Sequence, residues 1–407
     1  MSLTYLPGRP NDTQQSTCQS SWQGRIVFAY CSGNNLIILS NGFQRLQTIY
    51  LESDSVAVDI NPRNGFIAIG YGNKVGIYKP KHQVMKAPSW VFCCEIVHDD
   101  SKVNSLSWGN FNDLTVGSNY LSFWKINDEF GVYKPVLQWN KKQPKPVYLC
   151  ITSQCSQMIA SFGKYDTSVK LWKRISISGD QVLFNLTLLP HPAPICTMRW
   201  RKSGRCEPSE NPNGLQAIYT LCADQKLRVW LCYELDSLHN VQHWATLQLE
   251  DAQRYCFTID NWLLKDQRDL VLIADREGNL VIYSLSHLSS DPPRPIAKEK
   301  LSTKSFSYSS FVTKPDFLYF AELQPCDDNT DDLSLIIHDL RGVIRQSRIT
   351  VSQLLERNHS QIGTLEHKFT GHNKSVQKLI RSSDGEAMLT ISRFLECCVW
   401  CPQRLSD

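Results

Sequence analysis

A short strand-like run that ends apolar or aromatic returns eight times along the chain, and a repeat of this kind restricts the fold more than any other feature. It reads Leu36-Ile37-Ile38-Leu39, then Val75-Gly76-Ile77-Tyr78, Leu121-Ser122-Phe123-Trp124, Val169-Lys170-Leu171-Trp172 and Leu227-Arg228-Val229-Trp230. It continues as Leu280-Val281-Ile282-Tyr283, Leu335-Ile336-Ile337-His338 and Cys397-Cys398-Val399-Trp400. Successive copies end 39 to 62 residues apart. The shorter spacings match the ~40–45 residues of one four-stranded blade, and the longer ones require loop insertions.

Each copy keeps similar company. A second apolar run precedes it, such as Phe66–Ile69, Met158–Ser161 or Leu270–Ile273. Gly72-Asn73, Asn119, Asp166 or Asp224 stands between the two. These residues favour tight strand connections, through positive φ or through side-chain hydrogen bonds to the backbone. A third run lies further upstream, as in Val103–Leu106 or Ile195–Met198, and a fourth follows the aromatic, as in Val182–Leu186. Four strands joined by short turns predict an antiparallel blade, and blades repeated around an axis leave only short edges exposed. The expectation is an all-β propeller of seven four-stranded antiparallel blades over residues 22–355, preceded by a flexible arm, 1–21. Residues 356–407 are read as a linker and the first unit of a second propeller, with an eighth blade as the alternative. Tyr78, Trp124, Trp172, Trp230, Tyr283 and Trp400 are predicted to occupy equivalent structural positions, and His338 to fill the same slot in unit seven.

The stretch Ser161-Phe162-Gly163-Lys164-Tyr165-Asp166-Thr167-Ser168-Val169-Lys170-Leu171-Trp172-Lys173 resembles the closing segment of a WD40 repeat. So does Gly371-His372 followed by Val376 and Trp400. The resemblance implies a WD40-type β-propeller. Most units lack the Gly-His pair and end in Lys where Asp is typical, so the side-chain network of such repeats is expected to be incomplete.

Composition narrows the function classes. A formal charge of +4 over 407 residues does not point to nucleic acid. No run reaches the ~18 apolar residues of a membrane span. Met1 to Ser21 is polar and does not read as a secretory signal. The 15 cysteines sit mostly in apolar runs, which suggests small buried hydrophobes in a reducing compartment. No phosphate loop, dinucleotide fingerprint or metal-spaced histidine cluster occurs. Cys398 and Cys401 lie three apart on a strand, so their sulfurs diverge. The chain is therefore expected to be no enzyme and to hold no cofactor or metal.

Loops are then where function would reside. The turns between second and third strands share one face with the connections between blades. That face should carry Asp99, Asp100, Lys102, Lys141, Lys142, Lys145, Lys164, Tyr165, Lys226, Arg254 and Arg276. Lys141, Lys142, Lys145 and Lys164 fall in one blade region and are candidates for a basic partner-binding patch. On the other face, Arg199, Arg201, Lys202 and Arg205 lead into an insertion that ends near Gly214.

The opening Met1-Ser2-Leu3-Thr4-Tyr5-Leu6-Pro7-Gly8-Arg9-Pro10-Asn11 and the degenerate blades after it are similar to the amino-terminal part of the RAVE large-subunit (rabconnectin or DMX-like) family. That resemblance implies a scaffold for assembly of the vacuolar proton-translocating ATPase. The implied partners are the second RAVE subunit (rogdi-related), a small SCF-type adaptor and cytosolic-sector ATPase subunits. Location would be cytoplasmic, with recruitment to endosomal and vacuolar membranes only through partners. The rival reading is a phosphoinositide-binding trafficking propeller. Its paired-arginine motif is matched only by Leu340-Arg341-Gly342, with one arginine.

Overall fold

The structure is a computed structural model that describes residues 8–40, 43–81, 88–98, 101–109, 112–176, 182–202, 216–235, 238–249, 256–264, 269–275, 280–285, 304–308, 318–325, 332–339, 343–352, 364–369, 376–383, 388–392 and 397–400. Seven four-stranded antiparallel sheets follow one another along the chain. Blade 1 is Thr17–Trp22, Arg25–Ser32, Asn35–Ser40 and Arg45–Tyr50. Blade 2 is Ser55–Ile60, Ile67–Tyr71, Lys74–Lys81 and Ser89–Val97. Blade 3 is Ser105–Trp108, Asp113–Gly117, Tyr120–Glu129 and Val132–Lys142. Blade 4 is Val147–Thr152, Met158–Gly163, Ser168–Ser176 and Val182–Pro190. Blade 5 is Ile195–Trp200, Gln216–Cys222, Lys226–Leu235 and Leu238–Gln248. Blade 6 is Cys256–Leu263, Asp269–Asp275, Leu280–Leu285 and Lys304–Tyr308. Blade 7 is Leu318–Pro325, Leu333–Asp339, Ile344–Ile349 and Thr364–Phe369. In every blade the strands pair in chain order.

The apolar runs of the middle strands are continuous because both faces of each blade are covered by a neighbour. Side chains alternate between those neighbours. In blade 2, Ile67 and Ile69 join the cluster shared with blade 1. Ala68, Val75 and Ile77 join the one shared with blade 3. Six such clusters link blades 1 to 7 in sequence. A seventh packs Phe28, Tyr30, Ile37, Leu39 and Phe43 of blade 1 against Ile336 and Ile344 of blade 7. The ring therefore closes at seven blades, and it closes by packing, since neither terminal blade borrows a strand from the other end of the chain. A three-stranded sheet, Val376–Arg381, Met388–Ser392 and Cys397–Trp400, is hydrogen-bonded to none of the seven.

The repeat aromatics lie on third strands, as expected for Tyr78, Trp124, Trp172, Trp230 and Tyr283. All are buried except Trp124, which is half-buried and packs beside the cluster between blades 2 and 3. The side chain of Trp400 lies outside the described residues. Unit seven departs from the expected register. His338 sits on the second strand of blade 7, and the third strand is Ile344–Ile349, which ends in isoleucine. The outer strand of that blade is Thr364–Phe369, a segment that the repeat pattern assigned to unit eight. His338 is nonetheless core. Its ring meets Tyr30 edge-on at 5.1 Å and Phe28 at 6.0 Å across the seam. Burial pushes its pKa down to about 3, which keeps it neutral.

The arm ending at residue 21 is likewise corrected. Thr17–Trp22 is the inner strand of blade 1, and Asn11, Gln14 and Gln15 before it are hydrogen-bonded into the ring.

Candidate functional site

The inner strands of all seven blades line a central cavity of about 360 Å³. Residues 11–16 cross one end of it. Asn11 donates through Nδ2 to the carbonyls of Gly33 and Ser55 at 2.8 and 2.7 Å. Gln14 donates to Tyr148 Oη and to the Cys196 carbonyl at 3.4 and 3.3 Å. Gln15 is the best-connected residue. Its Nε2 donates to the carbonyls of Leu106 and Cys150 at 2.9 and 3.2 Å. Its Oε1 accepts from Leu106 N at 2.8 Å and Ser105 Oγ at 2.6 Å. Its backbone carbonyl accepts from Val58 N at 2.8 Å. The segment thus ties blades 1 to 5 together at the face where inner strands begin. The cavity opens toward the opposite face, past Pro62, Gln154 and Lys202.

Near that mouth the basic residues singled out on the other face are neutralised. Arg199 lies 3.2 Å from Asp260 and 3.1 Å from Glu322. Lys202 reaches the same two carboxylates at 2.8 and 2.6 Å, and Arg201 holds Asp269 at 2.8 Å. Burial works against the Arg199 cation, but the carboxylates of Asp260 and Glu322 outweigh it and raise its pKa. Asp59, on the channel wall of blade 2, is pushed up to about 6 by burial, despite hydrogen bonds from the backbone amides of Trp108 and Ile60. The network joins blades 5, 6 and 7. Arg205 and the insertion up to Gly214 lie outside the described residues.

The other face carries the lysines. Lys141 and Lys142 end the outer strand of blade 3 and stand opposite Leu121 and Tyr120. Lys145 lies in the connection to blade 4, 3.2 Å from Asp166. Lys164 and Tyr165 form the turn after Gly163, with Lys164 Nζ 5.2 Å from the Tyr165 ring centroid. Lys145 thus stands beside the turn that carries Lys164 and Tyr165, and Lys141 and Lys142 end the outer strand of the preceding blade. Lys102 is exposed ahead of blade 3, and Lys226 is half-buried at the equivalent turn of blade 5, one blade away. Asp99, Asp100, Arg254, Arg276 and the Leu340-Arg341-Gly342 segment lie outside the described residues.

Sequence reading missed two features. One is the channel role of Gln14 and Gln15. The other is a relay in blade 5, where Trp230 Nε1 donates to Thr220 Oγ1 at 3.1 Å and His191 Nε2 lies 2.8 Å from the same hydroxyl. Burial holds His191 at a pKa of about 4. Its position after Pro190, in the connection into blade 5, was the available signal. Trp172 Nε1 to Ser161 Oγ, at 3.0 Å, is the corresponding bond of blade 4.

No family model matches the chain. Among solved structures, two of Chaetomium thermophilum Sqt1 are similar, with TM-scores of 0.56 and 0.54 at 11% identity. They cover 98% and 99% of this chain and all of theirs, and one is bound to the N-terminus of ribosomal protein L10. At that identity the likeness concerns the fold alone. Among curated proteins, "Regulator of V-ATPase in vacuolar membrane protein 1" of Saccharomyces cerevisiae is 51% identical over 420 residues, covering all of this chain. The protein of the same name from Schizosaccharomyces pombe is 25% identical over 55% of the chain. Mouse DmX-like protein 1 is 24% identical over 50% of it. The chain spans 31% of the Saccharomyces relative, 17% of the Schizosaccharomyces one and 8% of the mouse one. With this identity across its whole length and a seven-bladed WD40-type propeller as its fold, the chain is similar to one part of the RAVE large-subunit, or DmX-like, proteins.

Proposed function

We propose that this propeller is a scaffold that helps regulate the vacuolar proton-translocating ATPase by promoting its assembly, and that it acts by binding alone. The observation that carries the reading is its 51% identity, over the whole chain, to a protein named as a V-ATPase regulator in the vacuolar membrane. The proposed partners are cytosolic-sector ATPase subunits, the second RAVE subunit and the small SCF-type adaptor. Location would be cytoplasmic, with recruitment to vacuolar and endosomal membranes through those partners. The described geometry is compatible with this reading. The channel charges are already paired, and the exposed polar groups sit on a rigid ring with many loops. The patch around Lys141, Lys142, Lys145, Lys164 and Tyr165 is the proposed docking surface, with Lys102 and Lys226 at its margin. Because Thr364–Phe369 completes blade 7, it is the separate sheet of Val376–Arg381, Met388–Ser392 and Cys397–Trp400 that is proposed to open a second propeller.

A pull-down tests the reading. The purified 407-residue chain is incubated with each candidate subunit, and in parallel with phosphoinositide-containing liposomes. Retention of a subunit supports the scaffold. Retention of liposomes alone would replace it with the trafficking reading.

A further inference from the structure

We propose that the lysine and tyrosine corner of blades 3 and 4 recognises an acidic, extended segment of a protein partner. The inference rests on the docking surface assigned above and names the chemistry of its ligand.

Charge is the first observation. Lys145 and Lys170 engage Asp166 at 3.2 and 3.5 Å, Lys164 lies in the same turn of blade 4, and Lys141 and Lys142 end the outer strand of blade 3 just before Lys145. Five lysines against one carboxylate leave a local excess as large as the +4 of the entire chain. Lys141, Lys142 and Lys164 are exposed and have no carboxylate partner among the described residues. A concentrated field of one sign attracts the opposite sign and speeds encounter.

Tyr165 is the second observation, and it is independent of charge. The turns between second and third strands contain a residue with positive φ in blades 1, 2, 4 and 5: Gly33 at 56°, Gly72 at 55°, Tyr165 at 64° and Gln225 at 59°. Blades 1 and 2 use glycine, which takes this conformation without steric cost. Blade 4 places a tyrosine there, against backbone preference, and leaves the residue 69% exposed. The turn has no need of the ring, which makes no packing contact in the core clusters. Tyr120 flanks the lysines from the corresponding turn of blade 3 and is also exposed. Exposed, rigid tyrosine is the anchor that protein interfaces concentrate.

The patch holds no arginine among the described residues, so its lysines act as separate point charges that suit carboxylates spaced along a peptide. With two phenolic rings and no larger apolar group, it also offers little to insert into a bilayer. An extended peptide alternating acidic and apolar residues would set its carboxylates on the lysines and an apolar side chain on Tyr165.

The test uses the 407-residue chain and a fluorescent peptide of alternating glutamate and leucine. Its controls are the same peptide with lysine for glutamate, and phosphatidylserine vesicles. Anisotropy should show binding of the acidic peptide alone, weakening as salt screens the exposed charges over a Debye length of ~10 Å at 0.1 M. The triple variant K141E/K142E/K164E should weaken it about tenfold or more. Y165G should weaken it too, while leaving the melting temperature unchanged or higher, because glycine suits the turn. Equal binding of both peptides, indifference to these variants, or a preference for vesicles would overturn the proposal. Retention of an ATPase subunit by a chain that ignores the acidic peptide would overturn this inference alone and leave the scaffold reading intact.

Discussion

Gln15 is the residue whose replacement tests the channel most sharply. Its amide makes four hydrogen bonds with three residues of blades 3 and 4, at 2.6 to 3.2 Å. Gln15→Ala removes all four. A hydrogen bond is worth ~1 kcal/mol net, and a buried group left unpaired costs ~1–3 kcal/mol. Water in the 360 Å³ cavity can reach part of the vacated space, so the total should fall to about 2–3 kcal/mol. For a ring of this size that is a loss of roughly 3–5 °C in melting temperature. Gln15→Glu keeps the shape but turns the Nε2 donor into an oxygen facing the carbonyls of Leu106 and Cys150. At neutral pH it should therefore cost at least as much as alanine, and less at pH 5, where the carboxyl can protonate and donate again. Scanning fluorimetry of the three proteins at both pH values measures this. If neither variant melts below the parent, or if Glu is tolerated better than Ala at pH 7, the segment does not tie the ring together.

Trp172→Ala should cost about 3–5 kcal/mol, because Trp172 fills the interface of blades 3 and 4 against Trp139 at 5.2 Å and donates to Ser161. Calorimetry checks it, and an unchanged melting temperature would refute the assignment of that interface. His338 is held neutral with a pKa of about 3, against ~6.5 when unfolded, so its contribution is complete above pH 6.5 and is lost as pH falls. At pH 5 the loss is ~2 kcal/mol, so the acid-induced drop in stability should be smaller by that amount in His338→Leu. Equal pH slopes in denaturant titrations of the two proteins would show that the seam is not where His338 lies. Asp59, at about 6, has the opposite sign, stabilising at low pH and losing that stability as pH rises from ~4 to 6. Asp59→Asn should flatten that part of the profile. Reversing Lys141, Lys142 and Lys145 to Glu should weaken capture of ATPase subunits mainly through slower association at low salt, with the fold intact. Surface plasmon resonance reads this directly, and an unchanged association rate would move the docking surface elsewhere.

The sequence by itself determined the blades, because each strand announces its burial locally. Val169, Leu171 and Trp172, or Leu280 to Tyr283, carry the apolar pattern that a strand between two neighbours requires. Asp224 and Gly72 mark the turns, so seven units and most of their aromatic positions were legible. Unit seven was misread because Leu335 to His338 has the apolar composition of a third strand but pairs as a second. Only the partner strands Leu318–Pro325 and Ile344–Ile349 decide that register. Polar bonds were the least legible. Gln15 meets Leu106 and Cys150, 91 and 135 residues away, and His191 meets Thr220 from the connecting loop. A hydrogen bond between a side chain and a distant backbone leaves no periodicity in the chain. A polar segment that plugs a channel therefore reads the same as one that stays in water, until closure of the ring presents it with unpaired backbone groups to satisfy.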